Sequence, residues 1–184
     1  MPESTVPVAA LRAGWDLVLT LGDRSETDAD TAAAGQRVQR AVQAADHGEI
    51  STDDIWRGLV WLVESLSSVV MSPSHPARVD AGPEEIIDAV LEKLEKVPSL
   101  SRAFERHYPS VEEAMGCAIS GKDAVLTRDA DVPHFGPVDE EEAALLGHAA
   151  WYIADLNDAL SGIPHLTARL MSEALDELEH GHQE

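Results

Sequence analysis

The stretch STDDIWRGLVWLVESLSSVVM, residues 51–71, decides the fold class of this chain. Its apolar side chains recur every three to four residues, which is the period of an α-helix rather than that of a strand. Ser51 precedes the apolar run and Asp54 follows three residues later, the spacing of a helix-capping box. We therefore predict a helix from Thr52 to Met71, the most apolar helix of the chain.

The same period continues outward from this segment along most of the chain, and no long alternating strand pattern is present. The sequence predicts one all-α domain over residues 1–184, a compact bundle or array of seven or eight helices. Residues 122–137 lack a helical pattern. An alternative to the single domain is a sub-boundary in this segment, with residues 138–184 forming an acidic helical hairpin. The other predicted helices cover approximately residues 6–21, 25–46, 83–97, 100–108, 110–121, 139–160 and 164–178.

Charge is the strongest compositional signal. The 184 residues include 34 acidic and 13 basic side chains, a formal charge of −21 with histidine neutral. Residues 138–184 hold eleven acids and one cation, Arg169, which is a net charge of −10. Because phosphate binding needs clustered cations, we expect no direct nucleic-acid binding. The acidic segment is either a solvated face that maintains solubility or a docking face for a basic protein partner.

Several classes of protein are disfavoured by simple features. Residues 55–71 are apolar but include Arg57 and Glu64, so they fall short of the roughly 20 apolar residues that cross a bilayer. The N-terminus carries Glu3 and no cationic stretch, unlike a secretory signal. A single cysteine, Cys117, excludes a disulfide framework and a multi-cysteine zinc site. We expect a cytoplasmic protein without membrane contact. The excess of arginine over lysine is associated with bacterial genomes rich in G and C.

Glu177 and His180 have the Glu-x-x-His spacing of carboxylate-bridged di-iron bundles. Such a centre needs two motifs of this kind and two further glutamates, and the chain contains one motif. The pair also lies opposite the predicted apolar stripe of the last helix, so it should face water. We predict no metal site and no cofactor, with Glu177 and His180 as the weak candidates. That predicted stripe comprises Leu166, Leu170, Ala174 and Leu178.

A second motif is the segment Arg102-Ala-Phe-Glu-Arg-His107. It resembles the Arg-x4-His motif of HEPN-type ribonucleases, which are all-α. The resemblance covers six residues and implies that His107 activates the RNA 2′-hydroxyl as a base, without a metal, while Arg102 holds the phosphate. A small metal-independent ribonuclease of this kind is therefore an alternative function.

His148 and Tyr152 are the remaining weak catalytic candidates, one helical turn apart on the predicted helix 139–160. Side chains of these types can act as an acid–base pair. The other interpretation of His148 is a boundary histidine that hydrogen-bonds between helices. With residues 122–137 as a lid, the pair would serve a small enzyme or a ligand-binding bundle.

Trp61 shares the polar line of the helix 52–71 with Arg57 and Glu64. Large aromatic side chains on a polar line often anchor protein interfaces. The alternative is that another part of the same domain covers this face.

The first functional hypothesis is a non-catalytic interaction protein: an adaptor, inhibitor or regulator that docks onto a basic or helical protein, such as one that itself binds nucleic acid. Trp61 is its expected hydrophobic anchor. A homo-oligomer remains open, and a third hypothesis is an acidic mimic of DNA, which needs carboxylates at phosphate-like intervals. The expected acidic interface comprises Glu140, Glu141, Asp155, Asp158, Glu173 and Asp176.

Overall fold

The computed structural model describes residues 6–22, 50–72, 74–116 and 139–181, and the single positions 36, 39, 40 and 43. These ranges contain helices and no strand, so the prediction of an all-α fold is confirmed for them. Two short 3-10 turns, Pro76–Arg78 and Pro98–Leu100, precede the third and fourth α-helices. The α-helices described are α1 Val8–Gly22, α2 Thr52–Val70, α3 Pro83–Glu95, α4 Ser101–Gly116, α5 Glu140–Ser161 and α6 Leu166–Gly181.

Local capping signals begin and end these helices. The Ser51 hydroxyl accepts from the backbone N–H of Asp54 at 3.0 Å, and the Asp54 carboxylate accepts from the N–H of Ser51 at 3.3 Å, which completes the predicted capping box of α2. Asp139 caps α5 by accepting from the N–H of Glu142 at 2.8 Å. Gly162 ends α5 with a φ of 69°, a left-handed conformation that glycine adopts without strain.

The predicted break at Pro109 is wrong. We expected one helix to end before Pro109 and another to begin at Ser110, but α4 runs through both residues. Proline removes one backbone donor and crowds the carbonyl four residues earlier. The helix continues because both of its halves bury apolar side chains in the same core. Those side chains are Ala103, Val111, Ala114 and Met115.

The merger of two predicted helices into α4 lowers the helix number from the expected seven or eight. The described ranges hold six α-helices. The helix predicted over 25–46 lies outside the described residues except at four helical, exposed positions: Gln36, Gln39, Arg40 and Gln43. Cys117 and the segment 122–137 also lie outside them.

Two helices, α2 and α5, pack on each other at the centre of the array. The helices α1 and α4 pack against both of them, α3 packs against α4 and α5, and α6 lies at the edge against α5 and α1. All six contribute to one apolar core. A Cβ atom at Gly58 of α2 would lie 3.3 Å from the backbone oxygen of Ala10, so glycine allows α1 to approach closely. None of the described helices has both the length and the apolar composition to cross a membrane.

The buried stripe of α6 differs from the predicted one by a rotation of about one residue, or roughly 100°. Thr167 is 3% exposed and enters the interior because its hydroxyl bonds to the Asp158 carboxylate at 2.6 Å and its backbone N–H donates to the same oxygen at 2.8 Å. Of the predicted stripe, Leu178 alone is among the buried residues of this helix. These are Thr167, Met171, Leu175 and Leu178.

Candidate functional site

Trp61 is 1% exposed and belongs to the core. The expectation that Trp61 is an exposed interface anchor is therefore wrong. The alternative holds: other helices of the same domain cover this side chain. The reason is the central position of α2, which packs against α1, α4 and α5. A helix surrounded in this way has little surface left for solvent, so part of its polar line is buried.

Glu64 lies on the same line of α2 and is half-buried. Its Oε2 atom is shielded from solvent and makes no hydrogen bond with the described part of the chain. Burial raises the pKa of the Glu64 carboxyl above its ordinary value, because desolvation disfavours the charged form. Ionised Glu64 is therefore a source of instability rather than a free docking group.

We expect Glu64→Gln to increase the free energy of unfolding at pH 7. The pKa of Glu64 is higher in the folded chain than in the unfolded chain. The free energy of unfolding therefore falls as the pH rises from the pKa of the unfolded state to the pKa of the folded state. It stays lower at every higher pH. Urea denaturation of the variant and the parent at pH 7 and at pH 4 measures the difference, which should shrink at the lower pH. A variant less stable than the parent at pH 7 would contradict this expectation.

The outward face of α6 holds two predicted interface acids, Glu173 and Asp176, beside two further acids. Glu173, Asp176, Glu177 and Glu179 are exposed on this helix. Arg12 of α1 reaches two of them, with its Nη2 atom 2.6 Å from Asp176 Oδ1 and 2.8 Å from Glu179 Oε2. Glu173 and Glu177 make no ion pair within the described ranges. Asp176, expected at an interface, thus also joins α6 to α1.

Three further predicted acids divide by environment. Asp158 is half-buried and accepts the two hydrogen bonds from Thr167, so it joins α5 to α6 instead of facing a partner. Glu140 and Asp155 are exposed and form no ion pair with another described residue. With Glu173, they are the predicted interface acids that are exposed and have no ion pair to a described residue.

Glu141 belongs to a polar cluster between α4 and the start of α5. Its carboxylate lies 3.2 Å from Arg102 Nε and 3.5 Å from Arg106 Nη1. His107 Nε2 lies 3.9 Å from Glu141 Oε2 and 3.3 Å from Asp139 Oδ2. The structure therefore brings Arg102 and His107 together, but the guanidinium that the ribonuclease resemblance assigns to a phosphate is paired with a carboxylate.

Three residues of this cluster escaped the sequence analysis: Arg106, Asp139 and Glu142. Arg106 follows Arg102 by four residues, so both lie on one face of α4, and this spacing was a usable signal. One ligand atom each from His107, Asp139 and Glu142 lies within 4.8 Å of the others. The 32-residue separation between His107 and Asp139 left no local signal for that proximity.

His148 and Tyr152 have separate partners. The Nδ1 atom of His148 donates to the carbonyl oxygen of Ala144 at 2.8 Å. The Tyr152 ring meets that of Trp151 edge-on at 5.3 Å, with Lys93 Nζ 5.8 Å from its centroid. No hydrogen bond joins His148 to Tyr152 in the described structure, so this geometry does not support an acid–base pair.

Glu177 and His180 both face solvent on α6. The Nδ1 atom of His180 donates to the backbone oxygen of Asp176 at 2.6 Å, a bond within the same helix. Neither residue belongs to a three-ligand cluster within the described ranges.

Comparison of the chain with protein-family models, curated proteins and solved structures finds no match.

Proposed function

We propose that this protein is a non-catalytic interaction protein that docks onto a basic protein partner through the outward face of α6. The observation that carries the proposal is the run of four exposed acids between Glu173 and Glu179, of which Arg12 pairs with two. Arg169 is the single cation of residues 138–184. Because α6 packs at the edge of the array, the remaining negative charge of this face meets solvent.

Electrostatics indicates the chemistry of the partner. A face of one charge sign raises the local concentration of molecules with the opposite sign and accelerates their encounter. The matching surface is rich in lysine and arginine, as in a protein that binds nucleic acid through its phosphates. Occupying such a surface makes the chain an adaptor, inhibitor or regulator of that partner, with α5 and α6 as an acidic cytoplasmic hairpin.

A charge-reversal experiment tests the proposal. The full chain is immobilised and exposed to nuclease-treated extract of its own host at low salt, and bound protein is then eluted with rising salt. We expect elution as the screening length falls from about 30 Å at 0.01 M to about 3 Å at 1 M. Glu173→Lys combined with Glu177→Lys should abolish capture, because both side chains are exposed without an ion pair to a described residue.

The matched control carries the same charge change on another helix. Asp88→Lys with Glu95→Lys reverses two exposed acids on α3. The control should retain most of the captured protein if the α6 face is the docking surface. The proposal is contradicted if the parent captures no protein or if the α6 variant still captures it. It is also contradicted if both variants lose the captured protein equally, because equal loss reports net charge alone.

Two other functions remain alternatives. The ribonuclease alternative is favoured by the convergence of Arg102 and His107 on Glu141, and RNA cleavage that disappears in His107→Ala would support it. A DNA mimic would displace DNA from its partner in proportion to its own concentration, and the α6 variant would lose this competition while the α3 variant would keep it.

A further inference from the structure

We propose that His107, Asp139 and Glu142 form a binding site for a divalent cation of the zinc class, between α4 and the start of α5. One ligand atom from each residue lies within 4.8 Å of the other two. Zinc bonds to nitrogen and oxygen of about 2.0–2.2 Å place neighbouring ligand atoms about 3.5 Å apart. Closure around an ion therefore needs side-chain movements of about 1 Å, which the rotatable bonds of Asp139 and Glu142 allow.

The two carboxylate oxygens of Asp139 contact different groups. Its Oδ1 atom caps α5 through the N–H of Glu142 at 2.8 Å, while its Oδ2 atom lies 3.3 Å from His107 Nε2. The cap bond can persist while Oδ2 binds an ion, and hydrogen bonds of this kind orient metal ligands. The His107 side chain is 19% exposed, so the surrounding residues restrict its ring.

Charge balance favours a cation at this place. Arg102 and Arg106 both pair with Glu141, whereas the carboxylates of Asp139 and Glu142 have no guanidinium partner within the described residues. The start of α5 contributes only about half a positive charge through its helix dipole. A cation between Asp139 and Glu142 would be attracted by these two carboxylates, although the two arginines reduce its affinity.

The donor set indicates which cation the site would prefer. One imidazole nitrogen and two carboxylate oxygens, with open positions for water, suit zinc and neighbouring transition metals. Magnesium and calcium prefer oxygen ligands alone. The site is separate from the docking face of α6, so it stands or falls independently of the proposed function.

Calorimetric titration with Zn²⁺ tests the proposal on the full chain after chelator treatment and dialysis. We expect saturable binding of one ion per chain. His107→Ala and Glu142→Gln should each weaken binding by at least about ten-fold, because each removes one of three protein ligands. Arg102→Gln combined with Arg106→Gln should strengthen it, because two repelling charges are removed.

The matched control is Asp88→Asn with Glu95→Gln, which removes two exposed acids from α3 and should leave the zinc affinity unchanged. Circular dichroism checks the fold of each variant, and Glu142→Gln carries the test if His107→Ala does not fold. The proposal is overturned by a lack of saturable binding, by unchanged affinity in a folded ligand variant, or by equal weakening in the control, which reports general attraction to an acidic surface.

Discussion

Trp61→Ala is expected to lower the free energy of unfolding by about 3–5 kcal/mol, the range for truncating a buried tryptophan. The indole is 1% exposed on the central helix α2, so its removal takes away packing contacts and leaves a cavity that its neighbours fill incompletely. Urea denaturation followed by far-UV circular dichroism measures the loss as a lower midpoint with an unchanged slope.

Trp56 provides the control on the same helix. Its side chain is only partly buried against the core, so Trp56→Ala should cost clearly less than Trp61→Ala. Equal losses in the two variants would contradict the assignment of Trp61 to the core. A Trp61→Ala variant of normal stability that no longer captures the partner would restore the original hypothesis of a surface anchor.

The contrast between these two tryptophans shows what the sequence could and could not predict about the fold. Stepping by 100° per residue correctly placed Trp61 on a line with Arg57 and Glu64, but periodicity describes one helix alone. Whether that line meets water depends on how many neighbours surround the helix, and α2 has three of them in contact. The position of the line was predictable, whereas its burial was a property of the assembled array.

The ends of the helices show the same contrast between local sequence signals and tertiary packing. The capping box of Ser51 and the N-cap of Asp139 act through residues three positions away, so the sequence contained all the information needed. The stop predicted at Pro109 also rests on a local rule, but the core contacts of both halves of α4 outweigh it. Local signals thus predicted the start of α2, where no tertiary contact opposed them, and failed at Pro109, where core contacts did.

The candidate sites were harder to predict because their partners are distant along the chain. Arg12 and Asp176 are 164 residues apart, and no local pattern indicates that they meet. Residue type correctly identified acids at the surface, such as Glu140 and Glu173. It could not separate them from Asp158, which stabilises a helix junction through Thr167.

The junction between α5 and α6 is where we expect the second large effect on the free energy of unfolding. Asn157 is 4% exposed, and its Oδ1 atom accepts from His75 Nε2 at 2.6 Å while its Nδ2 atom donates to Thr167 Oγ1 at 2.9 Å. His75 Nδ1 accepts from the N–H of Ala77 at 3.0 Å, so the Nε2 atom carries the proton. Asn157 therefore connects the turn Pro76–Arg78, α5 and α6 by hydrogen bonds.

Asn157→Ala is expected to lower the free energy of unfolding by about 2–4 kcal/mol, because it removes a buried side chain with its hydrogen bonds to His75 and Thr167 and leaves the His75 donor without this acceptor. Urea denaturation measures the loss. Asp155→Ala, an exposed change two residues earlier, should stay within about 0.5 kcal/mol of the parent. A similar small effect for Asn157→Ala would contradict a stabilising role for the network.

Thr167→Val tests why α6 has its observed rotation, because valine keeps the shape of threonine and removes the hydroxyl bonded to Asn157, Asp158 and Ala154. If the hydroxyl network sets the rotation, the losses of Asn157→Ala and Thr167→Val should be non-additive, since each single change already breaks their shared bond. Strictly additive losses would mean that the two side chains act independently. The apolar residues Met171 and Leu175 would then determine the rotation by burial alone.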